Sequence, residues 1–115
     1  MHFERVSGRK PILNWIKKQD KPVRVNIYGK LEDLSREGQG LLDTKAMDII
    51  HGQDKGLYEL RSISLNWRIG TYYNKVKNTF IILHGWHHDE NHEQEHQRDI
   101  QKTRDYLHEY LQMEN

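Results

Sequence analysis

The chain has 115 residues, 35% of them hydrophobic and 30% charged, with a formal net charge of +1 and no cysteine. This length suits one compact domain with a modest core, so we expect a single domain over residues 1–115. The composition excludes disulfides and thiolate metal sites, and the longest apolar run, residues 80–83, is too short to cross a membrane.

The charge is unevenly distributed along the chain. Residues 1–88 carry 15 Lys and Arg against 9 Asp and Glu, whereas residues 89–115 carry 3 against 8. A basic body with an acidic tail predicts an anionic partner, with RNA the obvious candidate, although a solvated acidic helix explains the tail equally well. Residues 1–10 contain no apolar segment, so we expect no signal peptide and a cytoplasmic protein.

The first forty residues predict a short strand and two helices. Residues 2–6 fit an edge strand, and apolar residues at helical spacing from Ile12 onward begin a helix after Pro11. Pro22 starts a second helix, which ends at Gly38. We therefore expect two short antiparallel helices over about residues 11–38.

The middle of the chain predicts a sheet. Residues 41–56 are interpreted as a connector with one helical turn at 46–50. Three strands follow at 57–64, 67–73 and 79–84, and Asn66 marks a turn between the first two. A helix over residues 89–113 closes the chain, and its apolar face carries Ile100, Thr103, Leu107, Tyr110 and Leu111. The layout is α+β: two helices on a small twisted antiparallel sheet of three to four strands, with a C-terminal helix.

Side-chain alternation assigns faces to the charged strand residues. Arg68 and Tyr72 share the face opposite Trp67 and Ile69, so Arg68 should emerge on a sheet surface. Arg61 belongs to the corresponding face of the preceding strand. By the same alternation, His84 lies on the same face of its strand as Phe80 and Ile82, so we expect its side chain to point inward.

Three stretches carry a resemblance to a known family. They are Gly-Leu-Tyr-Glu-Leu-Arg at 56–61, Trp-Arg-Ile at 67–69 with tyrosines at 72 and 73, and Phe-Ile-Ile-Leu-His-Gly-Trp at 80–86. Their succession on consecutive strands resembles the phage-derived HigB-like branch of the RelE/ParE toxin superfamily. About half of the chain carries the resemblance.

The resemblance implies a fold, an activity and partners. The fold would be two helices on a twisted antiparallel sheet, and the activity would be cleavage of mRNA, commonly on the ribosome. A cognate antitoxin would block the site, and oligomers would form only through that antitoxin. This chain departs from the family pattern at His87 and His88, where the family has paired lysines, and in the acidic stretch 89–95.

Metal-independent RNA cleavage needs a proton acceptor for the 2′-hydroxyl, cations for the phosphorane and a donor for the departing oxygen, and it needs no cofactor. Arg68 is the first candidate for the phosphate clamp, and an ion pair with Glu59 is the alternative interpretation. Arg61 is the second phosphate candidate, with a salt bridge to Glu59 or Glu32 as the alternative.

Histidines are the candidates for proton transfer. We favour His87 or His88 over His84 as the residue that transfers the proton. A purely structural role explains His84 equally well. The alternative for His87 and His88 is that they lie in a solvent-exposed turn. The remaining RNA-binding candidates are Tyr72, for base stacking or simple half-burial, and three residues of the connector, which are Lys45, His51 and Lys55.

A different interpretation of the histidines remains open. His88, His92 and His96 are four residues apart and would share one face of a helix, where two of them could chelate a metal ion. The chain could then be a His-rich interaction or metal-binding module. A non-enzymatic relative, such as a ParE-like gyrase binder or a decayed phage copy, is the third hypothesis.

Overall fold

The computed structural model describes residues 2–5, 10–88 and 93–114, with side chains from residue 11 onward. The helices are α1 (Lys10–Lys17), α2 (Lys21–Glu37), a 3-10 helix (Gly38–Asp43) and α3 (Glu93–Glu114). The strands are β1 (His2–Arg5), β2 (Met47–Ile49), β3 (Leu57–Ser62), β4 (Trp67–Asn74) and β5 (Thr79–His87). This order confirms the predicted α+β class.

The five strands form one sheet in the order β1-β5-β4-β3-β2. The β2–β3, β3–β4 and β4–β5 pairs are antiparallel, and β1 adds to β5 in parallel. The sheet is therefore larger than predicted, because the edge strand near the N-terminus and a further strand from the connector both join it.

Helices α1 and α2 cover one face of the sheet, which we call the α1/α2 face. Ile27, Leu31 and Leu34 of α2 are fully buried there, against a core that includes Trp67 and Phe80. The predicted helix boundaries hold because Pro22 suits the first turn of α2 and Gly38, at φ 56°, ends it.

Helix α3 covers the opposite face, which we call the α3 face. Leu107 and Tyr110 pack there against Leu57, Ile81 and Leu83 in a second buried cluster. Of the predicted apolar stripe of this helix, Thr103, Leu107 and Tyr110 are buried and Ile100 is half-buried, whereas Leu111 is 37% exposed. The sheet is consequently enclosed between two helical layers.

An irregularity in β5 changes which side chains reach each face. Thr71 pairs with Ile82, but the preceding Gly70 pairs with His84, so Leu83 is an extra residue at a β-bulge. An ideal Cβ built on Gly85 would lie 2.4 Å from Trp15 Cε3, which places Gly85 against α1. The residues on either side of Gly85 therefore point to the α3 face.

Two predictions about local structure were wrong. Residues 46–50 do not form a helical turn; Met47 pairs with Leu60, because strand pairing and burial of Met47 outweigh a weak local preference. The strand expected to end at His84 continues to His87. Helix α3 spans Glu93–Glu114, and its predicted start at residue 89 lies outside the described residues.

The contact between Gly70 and Thr103 holds α3 close to the sheet. A Cβ at Gly70 would lie 2.3 Å from Thr103 Cγ2 and 2.5 Å from its Oγ1, and Thr103 is fully buried. We expect Gly70→Ala to push α3 away and to lower the free energy of unfolding by about 1–3 kcal/mol. Urea denaturation measures this effect.

Gly29→Ala is the matched control, since no described atom beyond the adjacent backbone of α2 lies within 4 Å of the added methyl group. Gly29 is inside α2, so alanine there should be neutral or stabilising by up to about 1 kcal/mol. Equal stability of Gly70→Ala and wild type would show that α3 does not approach the sheet this closely.

Candidate active site

Two arginines stand opposite each other at one end of the β3–β4 hairpin. Arg61 and Arg68 are direct cross-strand partners, and like charges in such a pair destabilise a sheet unless an anion lies between them. The Arg68 side chain is 9% exposed and that of Arg61 is 25% exposed. This end of the sheet therefore concentrates positive charge on the α3 face.

The Glu59 carboxylate lies between the two arginines. Its Oε2 is 3.4 Å from Arg61 Nη1 and 3.6 Å from Arg68 Nε. Glu59 is two residues before Arg61 on β3 and so shares its face. The two guanidinium groups explain how a carboxylate whose side chain is only 9% exposed is tolerated at this position.

His96 of α3 completes the group, which we call the Glu59 cluster: Glu59, Arg61, Arg68, His88 and His96. His96 Nε2 is 3.5 Å from Glu59 Oε1. The His88 ring lies edge-on to the His96 ring, with the centroids 4.4 Å apart. One carboxylate, two guanidinium groups and two imidazoles thus share one end of the α3 face.

A groove of about 320 Å³ opens beside the cluster between the β2–β3 edge and α3, and we call it the α3 groove. Glu59, Arg61 and His96 line it together with His51 and Arg104. Arg104 Nη2 donates a 2.6 Å hydrogen bond to the His51 carbonyl oxygen, which ties the connector to α3. The groove exposes a carboxylate, an imidazole and cations to a ligand.

Burial lowers the pKa of two histidines on the α3 face. For His84, burial outweighs the hydrogen bond from Nε2 to Asp99 Oδ1 at 2.8 Å, which acts to raise the pKa. For His88, burial, the nearby His96 and the positive charge of Arg68 all lower the pKa. The neutral form of both rings is therefore favoured at pH 7. Nδ1 of His88 is shielded from solvent and has no hydrogen-bond partner among the described residues.

These shifts predict a pH dependence of stability. Because the folded pKa values are below the ordinary 6.5, the unfolded chain binds protons that the folded chain excludes as the pH falls below about 6.5. We expect the melting temperature to fall from pH 7.5 to pH 5.5 by more in wild type than in the double variant His84→Gln/His88→Gln. Calorimetry measures the melting temperatures. An equal decrease in wild type and in the double variant would contradict the lowered pKa values.

The structure places Arg68 differently from the prediction. It lies on the face opposite Trp67, as expected, but it is buried rather than at a surface, because α3 packs on this face of the sheet. Its Nη1 donates to the carbonyl oxygens of Ser62 and Trp67 at 3.1 and 2.9 Å. The ion pair with Glu59, which was the alternative interpretation, is present.

The parity prediction for His84 was wrong, because the bulge at Leu83 turns His84 to the α3 face. There it contacts Asp99 and stacks on Trp86, with the ring centroids 5.4 Å apart. His87 lies on the other face, where its ring is 5.5 Å from that of Trp15 and Nε2 donates to Gln19 Oε1. His88, but not His87, therefore joins the cluster.

The four RNA-binding candidates separate into two groups. His51 lines the α3 groove, and Lys45 lines a second groove of about 620 Å³ that Arg61 also borders. Tyr72 is half-buried with its ring 6.1 Å from that of Tyr110, and Lys55 precedes β3, at the end of the strand away from Arg61. The first two adjoin the cluster and the last two do not.

Sequence reasoning missed Glu59 and His96 as site residues. Glu59 was considered only as an ion-pair partner, although its alternation with Arg61 on one strand face is visible in the sequence. His96 was considered only as a helical metal ligand. Its position beside Glu59 depends on how α3 docks, and no local pattern reveals this.

The metal interpretation is wrong for one of its three histidines. His88 directly follows β5 and is not part of a helix, so it does not share a helical face with His96, and His92 lies outside the described residues. Within residues 10–88 and 93–114, no group of three His, Asp or Glu side chains is arranged to hold a metal ion. In the same part of the chain, no helix has the length and apolarity needed to span a membrane.

No protein-family model and no curated protein matches the chain. Its structure is similar to a chain in the crystal structure of the toxin-antitoxin complex RelBE2 from Mycobacterium tuberculosis, with a TM-score of 0.57. The two are 15% identical, and the likeness covers 76% of this chain and 96% of that one. Identity this low is informative about architecture alone. The chain therefore has a RelE-like α+β fold, with the Glu59 cluster on the α3 face of its sheet.

Proposed function

We propose that this chain is the toxin of a type II toxin-antitoxin system in the RelE/ParE superfamily, of the HigB-like branch. It is a cytoplasmic, single-domain endoribonuclease that cleaves ribosome-bound mRNA without a metal ion, and a cognate antitoxin neutralises it. The observation that carries the proposal is the pair of opposed arginines sharing Glu59, with His96 beside it, at the wall of an open groove. The RelE-like fold and the motifs on β3, β4 and β5 support it.

The cluster supplies what cleavage through the 2′-hydroxyl requires. A phosphate entering the α3 groove competes with Glu59 for the Arg61 guanidinium, whose fork suits two phosphate oxygens. The released Glu59 carboxylate then accepts the 2′-hydroxyl proton. The 2′-oxygen bonds to phosphorus, the bond to the 5′-oxygen breaks, and that oxygen takes a proton from solvent. The products are a 2′,3′-cyclic phosphate and a 5′-hydroxyl.

The other predicted residues take roles set by their positions. Arg68 holds the Glu59 carboxylate from the buried side and adds positive charge at the phosphorane. The neutral His88 ring packs edge-on against the His96 ring. His84 is hydrogen-bonded to Asp99, which lies farther along α3 than His96. This proposal assigns the proton acceptor to Glu59 rather than to His88 because Glu59 lines the groove.

The RNA strand would extend over Arg61, which borders both grooves. Lys45 and Lys30 line the second groove, and His51 lines the α3 groove. Lysines beside a guanidinium suit the phosphates that flank the cleaved bond, and such contacts carry affinity without sequence preference.

Brief induction of the chain in growing cells, followed by primer extension on abundant messages, tests this function. We expect growth arrest and new 5′ ends within coding regions for wild type and for His87→Ala, because His87 faces α1. Normal growth with intact messages for wild type would refute the proposal.

One observation favours a second candidate, a toxin that acts by binding. The Arg68 guanidinium is already satisfied by Glu59 and two carbonyl oxygens, which suits a structural role. A ParE-like gyrase binder would inhibit DNA supercoiling by purified gyrase and leave mRNA intact. That pair of results would select the second candidate over the nuclease.

A further inference from the structure

Trp86 of β5 is 4% exposed on the α3 face and contacts the outer edge of the Glu59 cluster. Its Nε1–H donates a hydrogen bond to His96 Nδ1 at 3.2 Å, and the two ring centroids are 5.8 Å apart. An indole nitrogen can only donate, so the acceptor nitrogen of His96 must be Nδ1. The neutral imidazole then carries its proton on Nε2.

The proton on Nε2 points to the groove side of the ring. Nε2 is the atom 3.5 Å from Glu59 Oε1, and both residues line the α3 groove. His96 consequently presents an N–H group to a ligand there, and no lone pair. A ring in this tautomer donates a hydrogen bond to a phosphate oxygen but does not accept the 2′-hydroxyl proton.

The contacts of Trp86 keep the indole in place. The His84 ring stacks on it at 5.4 Å with an interplanar angle of 20°, and His84 Nε2 donates to Asp99 Oδ1 at 2.8 Å. Asp99 and His96 are three residues apart on α3, so one helix holds both ends of this chain of contacts. The indole therefore cannot rotate without disturbing the docking of α3.

We propose that Trp86 is a positioning residue that fixes His96 as a hydrogen-bond donor to the phosphate in the α3 groove. This inference rests on the proposed cleavage function for its ligand, whereas the tautomer itself is a property of the isolated protein. It gives Glu59 and His96 different tasks, proton acceptor and hydrogen-bond donor, although their side chains are adjacent.

Nitrogen-15 NMR of the histidine side chains at pH 8 tests the tautomer without any RNA. We expect the Nε2–H form of His96 to dominate in wild type and to give way to a mixture in Trp86→Phe, which lacks the donor. Trp67→Phe is the matched control, because Trp67 is also buried and donates from Nε1 to Asn26 on the opposite face. A dominant Nδ1–H form in wild type, or an unchanged tautomer in Trp86→Phe, would overturn the inference.

Cleavage kinetics test the role of that N–H group. Loss of one donor to transition-state charge costs about 100-fold or more, so His96→Ala should be slowed by that factor. His96→Gln restores an N–H near the position of Nε2 and should recover at least about a tenth of the wild-type rate. Equal losses in the two variants would overturn the donor role, and absence of cleavage by wild type would refute the proposed function while the NMR result stands.

Discussion

Glu59→Gln is expected to lower the rate of mRNA cleavage by about 100-fold or more, since that is the usual contribution of a general base. The amide keeps the size of the side chain and an oxygen that can accept hydrogen bonds from Arg61 and Arg68. It cannot take up the 2′-hydroxyl proton. Single-turnover cleavage of mRNA on purified ribosomes gives the rate, and circular dichroism shows whether the variant is folded.

Asp48→Asn is the matched control for this substitution. Asp48 also lines the α3 groove, and its Oδ2 is 3.7 Å from Arg61 Nη1, but its side chain is 60% exposed at the rim. The same chemical change there should leave the cleavage rate nearly unchanged. Rapid cleavage by folded Glu59→Gln would exclude Glu59 as the proton acceptor and point to His88.

Arg68→Ala is expected to destabilise the fold by about 3 kcal/mol, as removal of one member of a buried ion pair usually does. The guanidinium is buried, pairs with Glu59 and donates to the carbonyl oxygens of Ser62 and Trp67. Its loss removes a donor from these acceptors and weakens the compensation of the Glu59 charge. Urea denaturation with tryptophan fluorescence measures the change.

Arg61→Ala is the control that separates stability from activity. Its side chain is 25% exposed and its ion pairs face the groove, so the stability cost should be about 1 kcal/mol or less. We expect a folded protein that cleaves mRNA far more slowly than wild type. Equal stability of Arg68→Ala and wild type would contradict the burial of Arg68 in an ion pair with Glu59.

Regular elements with strong local signals were predictable from sequence. The apolar spacing at Ile27, Leu31 and Leu34, with Pro22 and Gly38 at the ends, defined α2 closely. Asn66 marked the β3–β4 turn, where it adopts φ 56°. Strand β2 was missed because its three residues depend on pairing with β3, which is a tertiary interaction with little local signal.

The candidate site was only partly predictable for the same reason. Alternation placed Arg61 and Arg68 on one face, because the backbone of β3 and β4 is regular there. It failed for His84 because a single extra residue at Leu83 reverses the faces beyond it. His96 is 37 positions from Glu59 in sequence, and only the docking of α3 brings the two together.

The most direct test of the central claim uses an mRNA with a single 2′-deoxy nucleotide immediately 5′ of a mapped cleavage position, in buffer containing EDTA. If the Glu59 cluster activates the 2′-hydroxyl, wild-type protein will cut the unmodified message to a 2′,3′-cyclic phosphate and leave the modified one intact. Cleavage of the 2′-deoxy message, or a requirement for a divalent metal ion, would contradict the account.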